Sequence, residues 1–183
     1  MKTVFVSNYY THHQSPFCRE MNRLVPGDFY FIETESFSEE RKSMGWQRGD
    51  TPEYVLSYSD NSEKCRELID NADVVIWGSC PFILIIPRLK EKKLTFHYSE
   101  RPFKDRNTGA VLRLRRAKLF AENFCYQKNH YLLSTGAYSY YDFAGSGLFK
   151  DRAYKWGYFP EVREYETDFF DRKGDNETLS LLW

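Results

Sequence analysis

The sequence carries no net charge, because 26 lysines and arginines balance 26 aspartates and glutamates across 183 residues. That balance argues against a strongly basic nucleic-acid binder and against an acidic tail. It contains no apolar run of ~20 residues, so no segment reads as a membrane-spanning helix. Its four cysteines, Cys18, Cys65, Cys80 and Cys125, form no CxxC pair. Zinc ribbons and thioredoxin-type redox motifs are thereby removed, and the four read as reduced core thiols of a cytoplasmic protein. Neither G-x-G-x-x-G nor G-x-x-x-x-G-K-[ST] occurs, so the fingerprints of dinucleotide and P-loop folds are missing. No G-x-S-x-G elbow anchors a hydrolase triad. The chain enters a strand-like segment at Thr3, so no secretory leader is expected.

Aromatic residues, in contrast, are abundant, with 14 Tyr and 15 Phe. Most such rings belong in a core, but a loop tyrosine also suits sugars, since its ring face packs on C–H groups while its hydroxyl forms hydrogen bonds.

Strand-like and helix-like patterns alternate along the chain. "TVFVS" (3–7) is a β-branched run, and Ser15-Pro16 supplies a helix N-cap followed by proline. Phe17, Met21, Leu24 and Val25 then form one apolar stripe, and Pro26-Gly27 ends it. "DFYFIET" (28–34) is a second strand, followed by a long loop from Ser36 to Pro52. Asn61 or Ser62 caps a helix whose Cys65, Leu68 and Ile69 face one way. "DVVIWG" (73–78) is a continuous apolar run, as in a strand buried on both faces of a parallel sheet. A crossover helix follows, delayed or kinked by Pro87. Then come a strand at 94–98, a helix at 110–128, a strand at 130–134, a short helix at 137–144 and a strand at 153–159. This alternation predicts an α/β domain, doubly wound around a mostly parallel, Rossmann-like sheet. The terminal "LSLLW" follows a polar, linker-like segment. Residues 1–174 are therefore expected to form the domain, and 175–183 a linker and the first strand of a second one, unless "LSLLW" is a last edge strand.

In open α/β sheets ligands bind outside the carboxyl ends of the strands. Four segments meet that condition: Ser7 to Gln14, Gly78 to Pro81, His97 to Arg101 and Ser134 to Tyr138. His12 and His13 are adjacent, a poor spacing for chelating one metal ion, and no third ligand stands at helical spacing. As imidazoles titrating near ~6.5 they are better suited to binding a ligand or moving a proton. In "HYSERPFK", His97 or Glu100 could orient a hydroxyl, or Glu100 could simply pair with Arg101. Gly78 and Ser79 stand at a strand-to-helix turn, where free backbone N–H groups could receive an anion. Between Arg101 and Lys118 cations concentrate with only Asp105 opposing them. That cluster is either a solvated helix face or a patch for a phosphorylated acceptor or for anionic lipid headgroups, the latter at the inner membrane face.

The segments "SNYYTHHQSP", "DVVIWGSCP", "LTFHYSERPFK" and "NHYLLSTGAYSYYDFAGSGLFKDRAYKWGYFPEV", in that order, resemble the N-terminal half of a GT-B glycosyltransferase of the family-4 (group 1) kind. The resemblance implies an acceptor-side Rossmann-like domain facing a second domain that binds a nucleotide-sugar donor. It implies retaining hexosyl transfer to a glycan or lipid-linked acceptor without a bound metal or other cofactor, and an isolated first domain that folds without transferring sugar. On matched positions it implies His13, Glu100 and His97 as catalytic residues. Asn8, His12, Gln14, Arg101, Tyr138 and Ser79 would bind substrate. A free-standing α/β binding module and one half of a GT-B sugar-nucleotide epimerase remain alternatives.

Overall fold

The computed structural model describes residues 1–44, 51–103 and 109–162, and the expected linker and strand at 175–183 lie outside these residues. Seven strands form one all-parallel sheet: β1 (Thr3–Ser7), β2 (Phe29–Glu33), β3 (Val55–Ser57), β4 (Val74–Trp77), β5 (Thr95–Ser99), β6 (His130–Thr135) and β7 (Ala153–Trp156). Their order in space is β3-β2-β1-β4-β5-β6-β7. The helices are α1 (Ser15–Leu24), α2 (Glu39–Ser43), α3 (Ser62–Asn71), α4 (Ile86–Lys90), α5 (Gly109–Asn123) and α6 (Ser139–Ala144). The expected α/β, doubly wound, Rossmann-like fold is thus present, with every described strand pair parallel.

The register explains why the central strands read as continuous apolar runs. Val4 and Val6 of β1 stand opposite Val75 and Trp77 of β4, and these face the α3 side with Cys65, Leu68, Ile69, Leu84, Ile85 and Leu89. Phe5 and Ile76 point to the other face and meet Cys18, Phe17 and Met21 of α1. Successive residues of a strand alternate between faces, so a strand covered on both sides needs apolar residues at every position. A third cluster, Leu132, Phe143, Leu148 and Phe149, seats α6 on β6.

Several sequence expectations are corrected. Ser15 is not the cap of α1: Gln14 occupies that position without a side-chain cap bond, and Ser15 and Pro16 are already helical. The turn before it is closed instead by Gln14 and Ser15 N–H groups donating to Thr11 O at 3.0 and 2.9 Å. Leu24 is exposed, and the buried face runs through Phe17, Cys18, Met21 and Val25. The stretch 36–52 is not all loop, since it holds α2, and the strand β3 that follows it was not expected. The crossover after β4 is not one helix: a 3₁₀ turn (Phe82–Leu84) precedes the five-residue α4, whose start Pro87 delays. The helix expected to 128 ends at Asn123 in a 3₁₀ turn (Phe124–Tyr126), and the last strand stops at Trp156. The α3 cap is as expected, with Asn61 Oδ1 accepting from Lys64 N–H at 3.1 Å. The cysteines are free, but only Cys18 and Cys65 are fully buried, while Cys125 is exposed.

Candidate functional site

The chain runs outward from β1 to β3 and then crosses to β4 on the other side of β1, so the topological switch point lies between β1 and β4. Ligand crevices open at the carboxyl ends of the two strands flanking such a point, because their following loops diverge. A pocket of about 580 Å³ opens there. Its lining draws Asn8, His13 and Gln14 from the loop after β1, Ser79 from the loop after β4, and His97, Glu100 and Arg101 from the end of β5. Seven of the nine residues expected at the site therefore share one cavity, whose volume falls in the ordinary range for small-molecule sites.

Local structure fixes these groups. Thr11 organises the first loop, its hydroxyl bonding Gln14 Oε1 and accepting from His13 N–H at 3.3 Å. The His13 ring lies 4.0 Å from the His12 ring and 4.8 Å from the Tyr158 ring, centroid to centroid. Burial and the neighbouring His12 push the His13 imidazole below its ordinary pKa, while the Glu100 carboxylate pulls it back. Its Nδ1 is buried and has no hydrogen-bond partner among the described residues. A neutral imidazole with an unsatisfied nitrogen at a pocket wall is able to accept a proton or a ligand hydroxyl.

On the opposite wall, Ser99 Oγ donates to Glu100 O at 2.8 Å, and Ser139 Oγ of α6 donates to Ser99 O at 2.9 Å, fixing the turn after β5. Arg101 does not pair with Glu100. Its Nε and Nη2 donate to the two oxygens of the nearly buried Asp142, at 2.9 and 3.3 Å, and its guanidinium lies 5.3 Å from the Tyr138 ring centre. Asp142 thereby raises the Arg101 pKa still further and keeps a fixed cation at the rim.

His97 is on strand β5 itself, not on the loop. Its ring stacks on Trp77 at 3.7 Å and 8° between planes, within a column that includes His130 and Phe149. Burial, and then the neighbouring His130, hold it neutral. It forms the pocket floor, with Nδ1 unpartnered among the described residues.

The two residues outside this lining are His12, exposed beside His13, and Tyr138, 62% exposed and in contact with Arg101. The segment after Gly78-Ser79 leads into a 3₁₀ turn (Phe82–Leu84) rather than directly into an α-helix, and the Gly78 N–H donates to Val6 O at 2.8 Å. Gly78 has a packing reason to be glycine. A Cβ there would sit 3.0 Å from Ser7 Oγ and 3.1 Å from Tyr98 Cδ1, where the side chains of β1 and β5 close over the end of β4. Gly78→Ala is expected to lower stability by about 1–2 kcal/mol through overpacking, read as a lower urea midpoint at unchanged slope. An unchanged midpoint would mean that Ser7 and Tyr98 move aside freely.

Tyr9 and Tyr158 also line the pocket; Tyr9 lies within the expected segment Ser7 to Gln14 without having been singled out, and Tyr158 lies outside all four segments. Tyr9 stacks on Phe37 at 5.0 Å, so its ring is held as a wall. Tyr158 follows β7, the strand farthest from β1 in space on this side of the sheet. The signal that could have found it was "WGYFP", a Gly-Tyr pair directly after a strand. Two further hollows, each about 490 Å³, continue along the same edge. The first shares Glu100, Arg101 and Tyr158 with the main pocket, and the second runs beside Tyr140, Tyr141, Tyr154 and Trp156.

Among the described residues no three His, Cys, Asp or Glu side chains gather as a metal site, and no helix is long and apolar enough to cross a membrane. No protein-family model, no curated protein and no solved structure matches the chain.

Proposed function

We propose that this domain is the acceptor-side half of a retaining glycosyltransferase, in which the switch-point pocket handles sugar hydroxyl groups opposite a second domain that binds a nucleotide-sugar donor. The observation that carries this reading is the convergence, in one pocket, of Asn8, His13 and Gln14 with Ser79, Glu100 and Arg101. These are the positions on which the sequence resemblance rests. The chemistry suits a polyhydroxylated ligand. Asn8, Gln14 and Ser79 supply donors and acceptors, Tyr9 and Tyr158 supply ring faces for C–H groups, and Arg101 supplies a fixed charge. His13, held neutral, and Glu100 are the groups able to take a proton from an acceptor hydroxyl. The tyrosine-lined hollows beyond Arg101 leave room for an acceptor longer than one sugar. No cofactor is required, because the donor nucleotide is a substrate.

The test is transfer by the two-domain protein from a panel of nucleotide sugars, with hydrolysis and epimerisation products followed in parallel. His13→Ala and Glu100→Gln are expected to lower kcat by 10²- to 10³-fold, the usual weight of a general base, with Tm shifted by less than about 2 °C. An epimerised nucleotide sugar with no acceptor product would identify an epimerase. Variants that lose stability while the folded fraction keeps full turnover would make both residues structural.

A further inference from the structure

The switch-point pocket and the two further hollows form one row. The middle hollow shares Glu100, Arg101 and Tyr158 with the pocket, and Gly136 and Trp156 with the outer hollow. The row runs along the carboxyl ends of the strands from β1 to β7 and stops at the free side of the sheet, beyond which no described strand lies. That path is four strand spacings, about 19 Å at ~4.8 Å each. One sugar ring fills a single hollow, whereas the whole row has the reach of a short linear chain. Arg101, the first of the cations counted between 101 and 118, stands where the first two hollows join, held there by Asp142 of α6.

The same helix walls the outer hollow. Tyr140 and Tyr141 of α6 line it, their rings 5.6 Å apart and inclined at 64°, so that two aromatic surfaces meet at an angle. The support is firm, since Phe143 is buried against Leu132 and Phe149, and Ser146 Oγ donates to Asp142 O at 2.9 Å. β7 contributes Tyr154, Lys155 and Trp156, and β6 contributes Ser134. Tyr141 and Tyr154 are 66% and 56% exposed. The make-up of this lining selects the occupant. Among the described residues it contains no Leu, Ile, Val or Met, so it suits neither an acyl chain nor the apolar face of a helix. An added β-strand is disfavoured as well. Arg152 O accepts from Leu132 N–H, so the alternate residues Ala153 and Lys155 turn their backbone groups to the free side, where Lys155 guards an edge strand only four residues long. Aromatic rings with polar tips, set beside a hydroxyl and an ammonium, match a pyranose, whose C–H face packs on a ring while its hydroxyl groups hydrogen-bond.

We infer that this row is the docking track of a linear oligosaccharide, whose terminal sugar enters the switch-point pocket while the following units pass Arg101 and pack against Tyr140 and Tyr141. The inference rests on the reading of the pocket as a sugar site and names its substrate class, a glycan chain rather than a monosaccharide or a single lipid-linked sugar.

Backbone amide NMR shifts of the full chain measure it, with the α-glucan, β-glucan, α-mannan and chitin series as probes, from the monosaccharide to the tetrasaccharide of each. At least one series is expected to move the Gly136, Ala137 and Lys155 amides, with an affinity for the tetrasaccharide at least tenfold above that for the monosaccharide. The exposed Tyr141 can be replaced without opening the core. Tyr141→Ala should lower tetrasaccharide affinity at least tenfold and leave the monosaccharide shifts at Asn8, Ser79 and Glu100 as they are, whereas Tyr141→Phe keeps the ring face and most of the affinity. No movement of the three amides with any series, equal affinity for the shortest and longest members, or a tetrasaccharide bound as tightly by the Tyr141→Ala variant overturns the inference. So does movement of the same amides when the protein alone is concentrated, which would assign the hollow to a second copy. Glycan bound along the track with no transfer by the two-domain protein removes the transferase reading alone. Transfer to monosaccharides with the three amides unmoved by any series removes the track alone.

Discussion

Replacing Arg88 with alanine is expected to lower folding stability by about 4 kcal/mol, and Tm by roughly 10 °C for a chain of this size. Arg88 is fully buried, the largest side chain so enclosed among the described residues. Its guanidinium makes five hydrogen bonds, none to a carboxylate. Nε donates to Thr95 Oγ1 at 3.1 Å, Nη1 to Ile69 O and Ala72 O at 3.1 and 2.6 Å, and Nη2 to Asp73 O and Leu94 O at 3.0 and 2.7 Å. One side chain thus closes the end of α3, whose last carbonyls have no partner within the helix, and ties it to the starts of β4 and β5. Burial pushes the Arg88 pKa down to about 10, opposed by the charges of Asp70, Asp73 and Glu91, so it stays charged at neutral pH.

Truncation leaves several carbonyl groups buried without a donor, each costing about 1–3 kcal/mol, and opens a cavity as well. Arg88→Lys is expected to cost about 2 kcal/mol, because an ammonium keeps the charge but cannot span five acceptors with its three donors. Urea unfolding of the two variants decides the matter. If both lie within about 0.5 kcal/mol of wild type, the carbonyls find water, and Arg88 is not the clip described.

Acidification is expected to destabilise the protein steeply between pH 6.5 and 4, through the buried His130 and His97. Burial lowers the His130 pKa from 6.5 to about 4. The folded side chain is neutral, and its Nε2 accepts from Trp77 Nε1 at 3.4 Å, a bond that protonation at Nε2 would break. The sign follows from which state binds the proton. Between pH 6.5 and 4 the unfolded chain takes up a proton that the folded chain refuses, so the stability contribution is complete above pH 6.5 and is lost as pH falls toward 4. Across that window His130 accounts for about 3 kcal/mol. His97, held neutral in the same stack, adds to the slope in the same direction. Stability measured by urea at half-unit steps should fall by about 1.4 kcal/mol per pH unit for each histidine that the fold keeps neutral. His130→Phe should remove one proton's worth of that slope. A slope identical to wild type in this variant would assign the acid sensitivity to other groups.

The pH window also bears on the candidate site. His97 forms the floor of the pocket and is part of the stack that excludes charge, so its neutrality is a property of the core and of the site together. His13 is held neutral less firmly, since Glu100 opposes the effects of burial and His12. A proton that enters the site from a ligand is therefore more readily taken by His13 than by His97.

Legible in the sequence alone were the class of fold, six of the seven described strands, and the sheet edge on which the candidate pocket opens. They were legible because a strand buried on both faces must be apolar throughout, and because a parallel sheet sends every strand's carboxyl end to one edge. The strand β3 escaped because three residues, Val55 to Ser57, are too few to display a period. The tertiary structure decided which residues at that edge face one another. Seven expected site residues share the pocket, but Tyr158 comes from a loop after a distant strand. Arg101 turned to Asp142, 41 residues away, rather than to its neighbour Glu100. The roles of Arg88 and His130 were settled by packing alone. A buried guanidinium takes whatever carbonyl groups converge on it, and an imidazole takes its charge state from the dielectric around it. Neither is a property of local sequence, since both depend on chain segments brought together only when the sheet is complete.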